Sequence, residues 1–97
     1  MTMVGVVILT HGSLAAALLE SAERIAGEKL RFRALAVDWN RKFDDIRKDV
    51  GDAITGADEG QGVIVLTDLF GGTPTTVALS FLGERGGIEV ISGVNLP

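Results

Sequence analysis

Val63-Ile64-Val65-Leu66-Thr67-Asp68-Leu69-Phe70-Gly71-Gly72-Thr73-Pro74 decides how this chain is read. Val63 to Leu66 form an unbroken apolar run, as in a strand buried on both faces of a parallel sheet. A carboxylate, Asp68, stands where the run closes. Gly71 and Gly72 make a turn whose backbone can approach a ligand closely. Pro74 fits the first turn of a helix, where its missing N–H costs nothing. The stretch therefore reads as a strand that delivers an acid and a donor-rich turn to a helix N-terminus.

A second junction of this kind lies near the start. Val4–Thr10 is another apolar run, and it ends in His11-Gly12-Ser13. His11 is the one histidine of the chain. Ser13 suits the N-cap of the next helix, first as a cap and second as a phosphate ligand. Leu14, Ala17, Leu18, Ser21, Ala22 and Ile25 share one face at helical spacing, and Gly27 stops the helix.

Between the two junctions, Leu30–Val37 reads as a strand. Arg31 and Arg33 alternate with Phe32 and Ala34, which suits a sheet edge. After the polar connection at Asp38–Arg41, Phe43, Ile46, Val50, Ala53, Ile54 and Ala57 mark a second amphipathic helix. Beyond Pro74 the third helix runs through Thr75–Leu82 and ends at Gly83–Gly87. Ile88–Val94 is the fourth strand. Alternating strands and helices imply an α/β fold with an open parallel four-stranded sheet, right-handed crossovers and helices on both faces. The order 2-1-3-4 puts the arginine-bearing strand at an edge and the two apolar runs in the centre.

In such a sheet, ligands bind beyond the carboxyl ends of the strands at the topological switch point. For this order the switch point lies between strands 1 and 3, which brings His11 to Asp68. A carboxylate accepting from Nδ1–H would fix the tautomer and leave the Nε2 lone pair to attack a phosphoryl group. Gly71, Gly72, Thr73 and Ser13 would hold the phosphoryl oxygens, near two helix N-termini. Taken alone, Asp68 reads equally as an N-cap of the third helix. Phe70 reads equally as a partner contact or a lid on the core, and Trp39, after strand 2, could flank the site. The arginines Arg31, Arg33 and Arg41 read as solvated surface.

Composition bounds the rest. The chain has 97 residues, one domain's worth, with 46% hydrophobic and 23% charged residues. A net charge of −4 argues against nucleic acid or an anionic membrane as partner. Without cysteine there is neither disulfide nor thiolate metal site, and no metal or cofactor is expected beyond a transient phosphohistidine. No apolar run reaches the ~20 residues of a membrane span. Met1–Thr10 has neither a basic start nor a cleavage pattern, so the cytoplasm is the expected compartment. There is no Gly-x-x-x-x-Gly-Lys and no Gly-x-Gly-x-x-Gly, hence no nucleotide loop of either kind.

At both junctions the sequence resembles the IIA domains of the mannose family of the bacterial phosphotransferase system. The matching pieces are Val7-Ile8-Leu9-Thr10-His11-Gly12, Leu66 to Pro74, and Ile91-Ser92-Gly93-Val94-Asn95-Leu96-Pro97. The resemblance implies that His11 takes a phosphoryl group from the phosphocarrier protein HPr and passes it to a IIB domain, which serves a membrane sugar permease. It implies that the family's aspartate is Asp68 and its phosphate-holding turn Gly71 to Pro74. Family domains continue past the last piece with a helix and a strand that helps form a homodimer; here the expectation is a C-terminally short domain with weakened association. Two other readings stand beside it. One is a regulatory module of the same fold, such as the phosphotransfer subunit of dihydroxyacetone kinase. The other is a histidine phosphatase, disfavoured because Thr10 precedes His11 and no arginine is near.

Overall fold

Strands β1 (Gly5–His11) and β3 (Val63–Thr67) lie side by side and parallel, with Leu9 opposite Thr67. The computed structural model describes residues 4–38, 40–68, 73–84 and 86–93. Strand β2 (Arg33–Val37) pairs with the other side of β1, placing Val37 opposite His11. Strand β4 (Ile88–Ile91) pairs with β3. All pairs are parallel, and the order is β2-β1-β3-β4, as the hydrophobic runs imply. The edge position of β2 explains its arginine: Arg33 is exposed, while the residues of β1 from Val7 to Thr10 are buried. The strand begins at Arg33 rather than Leu30, because an edge strand has only one neighbour to hold its start.

Helices α1 (Leu14–Ala26), α2 (Phe43–Ala57) and α3 (Thr73–Leu79) make the crossovers. The main core lies between the sheet and α2 with α3. Val7, Leu9, Val63, Val65 and Ile88 meet Ile46, Val50, Ile54, Val77 and Phe81 there. Helix α1 packs on the opposite face, against β1 and β2, where Ile8 and Ala15 are buried. Arg47 fastens the tail of α3: its Nε donates to Ser80 Oγ at 2.9 Å, its guanidinium pairs with Glu84, and it lies 4.3 Å over the Phe81 ring. Helix α3 ends at Leu79 instead of Leu82, and turns fill 80–84.

The expected inner face of α1 needs correction. Ala17 and Ser21 are exposed, and Ile25 is 88% exposed. The stripe that packs is Ala15, Leu18, Leu19 and Ala22, with Glu23 turned in so that its carboxylate accepts the Leu30 N–H at 2.8 Å. That bond ties the end of α1 to the next segment. Phe43, expected in the core, is 42% exposed in the first turn of α2.

Two glycines permit close approaches at the end of the sheet away from His11. A Cβ on Gly5 would stand 2.3 Å from the Ala57 carbonyl oxygen, and one on Gly62 would stand 2.6 Å from that of Gly87. Both obstacles are backbone. Gly5→Ala is therefore expected to destabilise by about 1–3 kcal/mol or more, the range for forced overpacking. A denaturant midpoint that does not move would show that α2 shifts freely.

Candidate functional site

His11 ends β1, and Asp68 directly follows β3. Because the two strands are neighbours, residues 57 positions apart in sequence meet. Asp68 Oδ2 accepts the His11 backbone N–H at 3.0 Å and lies 3.0 Å from His11 Nδ1. An ionised carboxylate can only accept, so Nδ1 carries the proton. One oxygen thus fixes both the backbone and the ring of His11, and Nε2 is the nitrogen that the carboxylate does not hold. The Asp68 side chain is 5% exposed and that of His11 22%: the acid is sheltered, and the ring reaches the surface. The described part of α3 opens at Thr73, five residues after Asp68.

Ser13 occupies the N-cap position of α1, but its side chain makes no capping hydrogen bond. Thr10 does that work instead: its Oγ1 accepts the Ala15 N–H at 2.7 Å. The hydroxyl comes from the strand, on the face that α1 covers, and reaches the helix across the turn at Gly12, where φ is +57°. Thr10→Val should therefore leave a buried donor unpaired and cost about 1–3 kcal/mol. In a domain of this size each kcal/mol lowers Tm by about 4–8 °C; an unchanged melting curve would mean that Ser13 takes over as cap.

Thr67 Oγ1 and Thr75 Oγ1 are 2.9 Å apart, joining the end of β3 to the first turns of α3. Both are fully buried, as is Thr10. Sequence reasoning missed these three residues as parts of the site. Their signal was a hydroxyl at a strand end or in a buried turn where valine would pack equally well.

Of the other expected site residues, Thr73 is exposed as the first residue of α3, and Ser13 is exposed in the turn after His11. Gly71, Gly72, Phe70 and Trp39 lie outside the described residues. At the same end of the sheet, Arg41 donates to Asp49 Oδ2 at 2.6 Å. That hydrogen bond, more than the neighbouring carboxylates, raises the guanidinium pKa above its usual value. Among the described residues no three His, Asp or Glu side chains converge as a metal set, and no helix is long and apolar enough to cross a membrane.

An α/β domain that seats one imidazole against one sheltered carboxylate at its switch point belongs to the class that presents a single oriented ring nitrogen. The comparisons make this particular. The family model described as "PTS system fructose IIA component" matches residues 5–97, and the chain belongs to that family. It is 34% identical over 95 residues to the fructose-specific EIIA component of Bacillus subtilis, covering 98% of this chain and 65% of that protein. Among solved structures, the IIA protein associated with the fucose utilization operon of Streptococcus pneumoniae superposes with a TM-score of 0.86 at 31% identity, covering 100% of this chain and 75% of that one. The mannose/sorbose-specific IIA subunit of Enterococcus faecalis gives 0.86 at 25%, covering 98% and 71%. The chain therefore spans about two thirds to three quarters of the length of these relatives.

Proposed function

We propose that this chain acts as a single phosphotransferase-system IIA domain, carrying a phosphoryl group on His11 from HPr to a IIB domain in sugar uptake. The observation that carries the reading is the double acceptance by Asp68 Oδ2 of the His11 N–H and Nδ1–H. In this tautomer the Nε2 lone pair attacks phosphorus. The bond from phosphorus to the donor breaks, and its electron pair leaves with the donor. The ring becomes cationic, and the Asp68 carboxylate beside Nδ1 stabilises that charge. Transfer onward repeats the step with the IIB acceptor as nucleophile. Gly71, Gly72, Thr73 and Ser13 are the proposed phosphoryl ligands, and Phe70 and Trp39 the proposed partner contacts. The reading places the domain in the cytoplasm, with the permease reached only through IIB.

The test is incubation with HPr, its donor enzyme and phosphoenolpyruvate, followed by intact-mass measurement. One added phosphoryl group, lost on addition of a IIB partner, is expected. No added mass under conditions that phosphorylate a relative would end the proposal.

A homodimer is proposed along β4. Among the described residues its outer edge pairs with no strand, and Ile91 is 51% exposed. Such an edge is a template for a second chain. Sedimentation across a concentration series should show weak, concentration-dependent association; a strict monomer would count against it.

A further inference from the structure

We propose that Thr67 and Thr75 are a positioning pair for the His11–Asp68 couple; the proposal rests on reading His11 as the phosphoryl acceptor. Among the described residues, the buried polar side chains are Thr10, Thr67, Asp68 and Thr75. All four lie at the carboxyl ends of the two central strands or in the helix turn beside them. Elsewhere the core is aliphatic with one phenylalanine.

Packing does not require the two hydroxyls. Valine has the shape of threonine; the strand end at Thr67 accepts it readily, and in a helix, as at Thr75, the two have similar propensity. Exchanging both partners of a buried hydrogen bond for apolar groups of the same shape costs far less than removing one of them. What two valines cannot supply is direction. The 2.9 Å bond ties the residue immediately before Asp68 to α3, two residues beyond Thr73. It thereby joins the end of β3, next to Asp68, to the helix that carries the exposed Thr73.

Asp68 has little tolerance for movement. Its Oδ2 must stay 3.0 Å from both the backbone nitrogen and the Nδ1 of His11. Groups in a reacting constellation need to be held within roughly 0.5 Å. Thr67 and Thr75 are assigned no contact with the phosphoryl group. They act through Asp68, by fixing where its backbone leaves the sheet, and through α3, by fixing where its first residue stands.

The test is the double variant Thr67→Val/Thr75→Val beside Thr75→Ser, which keeps the hydroxyl. The double variant should melt within a few degrees of the parent. Its phosphorylation should slow by about 10-fold or more, the scale on which groups that orient an active imidazole are felt. Thr75→Ser should stay within about twofold of the parent, because it retains the directional bond. Nitrogen-15 NMR of the unphosphorylated His11 ring supplies a readout that simple core filling would not move. The parent should show the single Nδ1–H tautomer, and the double variant a mixture. An unchanged rate with an unchanged tautomer would overturn the proposal. Should the double variant fail to fold, Thr75→Val alone is compared with Thr75→Ser by the same ring signals, and identical signals overturn it. Should the parent take no phosphoryl group, the carrier reading falls, while the tautomer comparison still decides the role of the pair.

Discussion

His11→Ala is expected to abolish phosphorylation completely while the domain stays folded. The chain has no other histidine, so no second imidazole can substitute. In the parent, the label should be lost in acid and kept in base, as a phosphoramidate is and a serine or threonine ester is not. The fold should survive because the substitution removes only the ring. The backbone N–H of residue 11 still reaches Asp68 Oδ2, and β1 keeps its register with both neighbours. The check is intact mass after incubation with the donor system, with circular dichroism as the control for folding. A phosphorylated, folded His11→Ala variant would place the acceptor elsewhere.

Asp68→Asn is the second large effect, and it is graded rather than absolute. Asp68 Oδ2 accepts two hydrogen bonds. An asparagine oxygen at that point keeps the geometry and loses the charge that stabilises a cationic phosphorylated ring. An amide nitrogen there turns a donor toward the backbone N–H and favours the wrong ring tautomer. Breaking the comparable carboxylate–imidazole contact in serine proteases costs about 10⁴-fold. Phosphoryl transfer through a loose transition state depends on positioning and electrostatics, with less proton transfer to assist. The loss here should be smaller, about 10–100-fold, as for carboxylates that orient imidazoles at metal sites. Single-turnover phosphorylation measured by rapid quench would check it. A variant as fast as the parent would leave Asp68 a structural role only.

The sequence by itself determined the strand order and the pairing of His11 with Asp68. Both follow from where unbroken apolar runs stop. Val4–Thr10 and Val63–Thr67 are too hydrophobic for an edge, Leu30–Val37 carries arginines that a central strand cannot bury, and right-handed crossovers leave few ways to connect them. Only the tertiary structure decided what holds the pair in place. A serine before a helix reads as its cap, yet Thr10 reaches across the turn to take that bond, because the strand face it occupies lies against α1. The Thr67–Thr75 bond spans eight residues and two elements, and its existence depends on the distance at which α3 docks on the sheet. The inner stripe of α1 was likewise decided by how the helix docks on β1 and β2, where Glu23 faces inward and accepts the Leu30 N–H. Hydrophobic pattern is local and periodic, so it can be read along the chain. A directional bond between hydroxyls and amides depends on packing distances set by the whole core.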